Sequence, residues 1–423
     1  MKLNYAKNIL VLIFVIAVVQ LATGQAPGSG ATNIPDHVTL TWTANPGTTM
    51  TVTWRTALTV TSGIVQFQEG ERLSKEARQA KADVYEFAAD IGPSKLWSAT
   101  LVNLKPRHKY SYRVGDGEHW SEMLSFSTAD PKTRNFKFLI FGDSQSPLTG
   151  DPPYNLWRNT IHDAYNANPD AKFIVNVGDL VDYGQRGAHW NAWFAAARGV
   201  IDRIPEMPVS GNHESFGSRD TSKPEYWVSQ FILPLNGPEG LKEQAYSYDY
   251  GPVHFVVLDS QQEEQKKYGD ILTVQRAWLE ADLAASKAPW KIVFFHRPPY
   301  GNMAKRTNDD IKAAFCPILE KHQVDLVFNA HDHSVARTHP INGTIYYVSG
   351  RSGGKTYPNL KKMDWNAFFY DPQDQPMYFV VEVKDKHISV TTIKQDGTII
   401  DTLSLDRKKS REQTPRAEPK KAA

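Results

Sequence analysis

The stretch Phe136-Lys137-Phe138-Leu139-Ile140-Phe141-Gly142-Asp143 decides the fold. Six residues dominated by aromatic and branched apolar side chains read as a buried strand, and the Gly-Asp pair after them reads as the turn that ends it. The same pattern recurs down the chain: Phe173 to Val177 precede Gly178-Asp179, Val293 to Phe295 precede His296, and Leu326 to Phe328 precede His331-Asp332-His333. A further polar cluster, Gly211-Asn212-His213-Glu214, completes the series. A Gly-Asp pair or a lone histidine is usually a turn or a packed core residue, so the information lies in the ordered series. Strands that each deliver a potential metal donor at their end imply a layered α/β domain with a shared site along one edge.

Between these strands the spacing predicts helices over Asn155–Ala167, His189–Ile204, Pro224–Leu233, Leu272–Lys287 and Asn308–His322. In the fourth, Val274, Trp278, Ala281 and Ala285 fall at helical spacing and predict one apolar stripe. Met377 to Leu405 returns to strand alternation with a hairpin turn at Lys394–Thr398, which predicts an added sheet edge.

Upstream the rhythm differs. Val38-Thr39-Leu40-Thr41-Trp42, Met50-Thr51-Val52-Thr53-Trp54, Ile64–Phe67 and Tyr110–Val114 are short alternating runs separated by turn residues. This predicts an antiparallel β-sandwich over 34–128, leading into the α/β layered domain over 136–405. A chain of 423 residues, 41% hydrophobic and 11% aromatic, has the material for two such cores.

The ends carry other signals. Lys2 and Lys7, an uncharged run from Ile9 to Val19 and the small residues Ala22-Thr23-Gly24 form a signal-peptide pattern over 1–24, too short for a comfortable membrane span. It implies a secreted or periplasmic product with no stable membrane insertion once the leader is removed. Residues 406–423 hold seven Lys or Arg against three Asp or Glu and read as a disordered basic tail. With the net charge only +2, a nucleic-acid partner is not supported. Cys316 is the single cysteine, which excludes an intrachain disulfide. Its helical surroundings make it a core residue.

Asp, Asn and imidazole without thiolate suit two metal ions of the Fe, Mn or Zn kind. One carboxylate must bridge such a pair, and Asp179 is the candidate. Asp143 and His333 would then complete one ion's shell; Asn212, His296 and His331 would complete the other's. Water acidified between the ions can attack phosphorus in line, so the expected reaction is hydrolysis of a phosphate ester by a metal-bound hydroxide. His213, directly after Asn212, is the candidate general acid, a role that contributes about 100-fold or more. Arg297 and Tyr300, beside His296, are candidate substrate contacts. His162, His189, His254, His322 and His339 have no spacing that joins them to the series. Trp190, Trp193, Tyr226, Trp227 and Phe231 read as core.

The order Asp143, Gly178-Asp179, Gly211-Asn212-His213-Glu214, His296-Arg297-Pro298-Pro299-Tyr300, His331-x-His333 resembles the calcineurin-like metallophosphoesterase superfamily. Together with the leading β-sandwich, Arg337 and Gly350-Arg351-Ser352-Gly353-Gly354, it most resembles the purple acid phosphatases, over about Ile34 to Asp406. That resemblance implies the same six metal ligands and an acid-phosphatase-like monoesterase. The chain departs from the family at three places. Asp182 stands where the family has a metal-binding Tyr, Gln145 where it has Gly, and Ala330 where it has Gly. Without the phenolate, the expectation is an uncoloured enzyme with a divalent first metal. The alternatives are a phosphodiesterase of the same fold and a non-catalytic surface-binding protein.

Overall fold

The computed structural model describes residues 28–150, 152–216 and 223–407, so the leader and the tail from 408 onward lie outside the described residues. Two four-stranded antiparallel sheets come first. One has the order Asp36–Thr41, Met50–Ala57, Gly92–Leu101, Asp83–Ala89; the other has Arg78–Lys81, Ile64–Glu69, Lys109–Gly115, Leu124–Ser127. Their alternating residues build a shared core around Leu40, Val52, Trp54, Val65, Trp97 and Tyr112.

Strand Met50–Ala57 and the end of Asp36–Thr41 in the first of these sheets are buried on both faces, which alternation alone did not anticipate. Its threonines face the second domain: Thr41 Oγ1 donates to the Ile232 carbonyl at 2.6 Å and Thr53 Oγ1 to that of Gln230 at 3.0 Å. Leu40 exchanges backbone bonds with Ile201 and Glu206, at 3.0 and 2.8 Å. Trp42 packs edge-on to Phe173, 5.5 Å between centroids. The two domains therefore share one continuous hydrophobic core.

The second domain is two sheets face to face with helices outside. A five-stranded sheet runs Ile174–Asn176, Asn135–Phe141, Met377–Lys384, His387–Lys394, Ile399–Asp406. A seven-stranded sheet runs Tyr246–Tyr250, Val253–Val257, Trp290–Phe294, Leu326–Asn329, Ile345–Ser349, Val335–Thr338, Asn366–Tyr370. The period of two along each strand sorts the side chains into layers. Phe138 and Phe379 of the smaller sheet meet Phe255 and Phe328 of the larger one. Phe141 turns outward against Trp157 of helix Asn155–Ala167, and Phe295 against Phe315 of helix Asp309–Lys321.

Two helical expectations need correction. The helix expected over His189–Ile204 is Gly187–Ala197, because Arg198 turns to ψ 137° and Gly199 to φ 91°. In helix Ile271–Ala285 the buried face is Ile271, Leu272, Gln275, Leu279 and Leu283, whereas Val274 is 44% exposed. The predicted stripe is the outer face: Ala281 and Ala285 are exposed and only Trp278 is half-buried. Two leucine-containing turns outweigh a stripe made largely of alanine, since buried apolar area sets the driving force. At the chain's end Asp406 still belongs to the last strand, one residue past the expected boundary.

Candidate metal centre

Strands Asn135–Phe141 and Ile174–Asn176 are parallel neighbours in one sheet, and Trp290–Phe294 and Leu326–Asn329 are parallel neighbours in the other. Their carboxyl ends therefore deliver Asp143, Asp179, His296 and His331 to one edge. The backbone there is wound tightly: Asp143, Asp179, His331 and His333 have φ of 48°, 53°, 69° and 56°. Left-handed backbone in residues other than glycine is costly, and it concentrates where side chains must be aimed.

Glycine does the complementary job of letting backbones approach. A Cβ on Gly178, which has φ 86°, would lie 2.6 Å from His296 Nδ1, and one on Gly211 would lie 2.3 Å from Asp179 N and Oδ1. Glu214 ties these segments together. Its Oε2 accepts the N–H of Gly211 at 2.6 Å and of Asp179 at 2.9 Å, while Oε1 accepts that of Leu180 at 2.8 Å.

The result is two overlapping groups of buried donors. Asp179, His296 and His331 form one, and Asp143, Asp179 and His333 the other, each with its donor atoms within 4.8 Å of one another. Asn212 Oδ1 joins the first group, 3.2 Å from His296 Nε2. Outer contacts fix which imidazole nitrogen faces inward. His296 Nδ1 donates to the Val177 carbonyl and His333 Nδ1 to that of Lys355, both at 2.8 Å, which directs each Nε2 toward the cluster. His331 offers Nδ1, 3.1 Å from His296 Nε2.

Electrostatics follow burial. Burial drives His333 down to about 3, and burial together with the His296 charge drives His331 well below the usual imidazole range, so both stay unprotonated. Burial pushes Asp143 well above the usual carboxylate range, against the pull of His296, and the Asp179 charge adds to that push. Burial would also raise Asp179, yet His296 and His213 beside it hold it well below the usual range. Asp143 Oδ2 and Gln145 Oε1 are buried without a hydrogen-bond partner. Orphaned oxygens among imidazole lone pairs are what a cation would satisfy. The donor set thus fits metal ions.

His213 lies at the rim of this group. Its Nδ1 donates to the Asp182 carbonyl at 2.6 Å, and its Nε2 is 3.9 Å from Asp179 Oδ2. The two expected substrate contacts are placed differently. Arg297 is held by Glu264 at 2.6 Å. Tyr300 is only 8% exposed and packs 4.8 Å from Tyr346 within the helix-side core. The structure packs Tyr300 against Tyr346 and Trp365 in the helix-side core, and not among the donors.

Sequence reasoning missed Lys355, whose Nζ is 2.9 Å from Asp182 Oδ1 and 3.2 Å from His213 Nε2. A signal was present in Gly353-Gly354. The N–H groups of Ser352, Gly353 and Gly354 bind the carbonyls of Gly142, Asp143 and Gln145, and a Cβ on Gly353 would lie 2.3 Å from the carbonyls of Ser144 and Gln145. Only glycine permits that docking.

A β-sandwich leading into face-to-face sheets whose strand ends gather carboxylate, amide and imidazole donors is the build of a metal-dependent phosphoesterase. Residues 35–128 match the family described as Purple acid Phosphatase, N-terminal domain, and residues 136–335 match Calcineurin-like phosphoesterase. The chain belongs to the calcineurin-like metallophosphoesterases of the purple acid phosphatase type. It is 25% identical to "Acid phosphatase type 7" of Mus musculus, over 87% of this chain and 90% of that one. It is also 25% identical to "Probable inactive purple acid phosphatase 27" of Arabidopsis thaliana, over 75% of this chain and 61% of the relative. Among solved structures, the purple acid phosphatase PPD1 from yellow lupin (Lupinus luteus) seeds shares the fold, with a TM-score of 0.75 and 21% identity over 89% of this chain and 75% of that one.

Proposed function

We propose that this chain is an exported phosphatase that hydrolyses phosphate monoesters at two metal ions held by Asp143, Asp179, Asn212, His296, His331 and His333. The observation that carries this reading is the sharing of the Asp179 carboxylate between the two groups of buried donors. Hard and borderline donors without thiolate favour Fe, Mn or Zn. When bound, such ions neutralise phosphoryl charge and acidify water.

The chain's own residues supply the rest. The Asp182 carbonyl fixes the His213 ring through Nδ1, which leaves Nε2 as the atom that exchanges a proton with the departing alkoxide. Backbone bonds to Glu214 hold the 179–181 and 211–214 segments in register, so that geometry is set before substrate arrives. The leader pattern at 1–24 supports export, and the resemblance to the purple acid phosphatases implies a fibronectin-III-like sandwich over 34–128. Among the described residues no helix is long and apolar enough to cross a membrane.

The test is metal analysis of protein purified without chelator, together with kcat/KM for 4-nitrophenyl phosphate and bis(4-nitrophenyl) phosphate. Two ions per chain and a preference for the monoester are expected. Preference for the diester would move the assignment to a phosphodiesterase. Two bound ions with no turnover of either ester would favour a binding protein, the reading to which the relative named "probable inactive" points. Retention of all six donors speaks for catalysis.

A further inference from the structure

Three cationic side chains border the donor cluster, and their partners distinguish them. Arg297 is neutralised by Glu264. Arg306 Nη1 is committed to the His331 carbonyl and to Asp332 Oδ1, each at 3.0 Å. Lys355 is also paired with a carboxylate, Asp182, but its ammonium in addition stands beside His213 Nε2, the nitrogen that faces Asp179.

An ammonium group has three N–H donors. Among the described residues, Lys355 Nζ donates to Asp182 Oδ1 at 2.9 Å and lies 3.2 Å from His213 Nε2, which takes no donor from it when protonated, so at least one N–H is left for a ligand. The side chain is 31% exposed, so that donor can be reached from solvent. Its main chain is fixed from the other side. The Lys355 carbonyl accepts His333 Nδ1 at 2.8 Å, and the preceding Gly354 N–H binds Ser146 Oγ at 2.9 Å. One residue thus orients an imidazole of the cluster with its carbonyl and presents a cation at the rim with its side chain. Asp182 anchors that cation from three positions beyond Asp179.

We infer that Lys355 is a substrate-contacting residue that sets specificity, donating its remaining N–H to a phosphoryl oxygen of an ester held at the cluster. A monoester offers a doubly charged group with three free oxygens, whereas a diester carries a single charge and a second organic substituent. A fixed cation beside the cluster favours the first. Lys355 makes no covalent bond and transfers no proton in this role. The inference rests on the phosphoesterase reading and deepens it.

The experiment compares metal-loaded unmodified protein, Lys355→Met and Lys355→Arg on the two nitrophenyl esters, with calorimetric binding of orthophosphate as a readout that needs no turnover. Lys355→Met should lower monoester kcat/KM by about 10- to 100-fold, the range for a lost charge-assisted hydrogen bond. Diester kcat/KM should change by less than about threefold. Orthophosphate Kd should rise with the monoester loss, Lys355→Arg should recover most of both, and metal content should stay unchanged. Equal losses on both esters with unaltered orthophosphate binding would overturn the inference and leave Lys355 as a support for His213. If the unmodified protein turns over neither ester, the phosphoesterase reading fails and the orthophosphate arm alone decides Lys355.

Discussion

Glu214 Oε2 accepts the backbone N–H of Asp179 at 2.9 Å, so a side chain that offers no donor to the cluster fixes the residue on which both donor groups depend. Glu214→Ala would strand the buried N–H groups of Gly211, Asp179 and Leu180. The expected cost is on the order of 3 kcal/mol or more, because each unsatisfied buried donor costs about 1–3 kcal/mol. A lowered urea midpoint together with reduced metal content checks this, and unchanged metal content would show that Glu214 does not hold the site.

Asp179 and Asp143 should differ when neutralised. Asp179 belongs to both donor groups and Asp143 to one. Asp179→Asn is expected to release both ions on desalting, and Asp143→Asn only one. Plasma emission measurement of metal per chain distinguishes the two, and equal losses would argue against a shared carboxylate.

Colour is a separate test. Asp182 binds Lys355, and Tyr183 is 47% exposed with its ring 5.3 Å from that of His189. Neither places a phenolate among the donors. The metal-loaded protein should show no violet charge-transfer band, even after addition of ferric iron and air.

Tyr300 packs in the core and not at the site. Tyr300→Phe should leave kcat/KM within about twofold, whereas Tyr300→Ala should destabilise by about 3–5 kcal/mol as other large aromatic truncations do. A large fall in kcat/KM for the phenylalanine variant, with stability intact, would restore the substrate contact.

His254 gives a pH test away from the centre. Burial works against its charge, but the Asp249 and Asp282 carboxylates at 2.7 and 2.8 Å prevail and raise it to about 9. A folded-state value above the unfolded value of about 6.5 stabilises fully at lower pH and loses its effect as pH rises through about 9. The difference in Tm between unmodified protein and His254→Gln should therefore be greatest near pH 6 and close toward about pH 10. A difference that grows with pH would contradict the ion pair.

The sequence made the strand ends legible because each donor follows directly on a buried apolar run, and sheet geometry then brings the ends together. Phe141 before Gly142-Asp143 is the clearest case. It could not show direction after a turn: Tyr300 lies four residues past His296, yet it belongs to the helix-side core. Lys355 was hidden because its place comes from a glycine pair docking on the 142–145 carbonyls, a long-range match without periodicity. The buried side of helix Ile271–Ala285 was misread because Val274 and Trp278 scored as apolar anchors while Leu279 and Leu283 held the inward positions.

The strands that carry Thr41 and Thr53 present no face to solvent there, because both threonines bond to the second domain. Excising 136–405 for separate expression would uncover an apolar flank around Phe173 and strip hydrogen-bond donors from the carbonyls of Ile232 and Gln230. Such a fragment should be prone to precipitate, and grafting the catalytic half onto another scaffold would require that scaffold to supply a replacement wall.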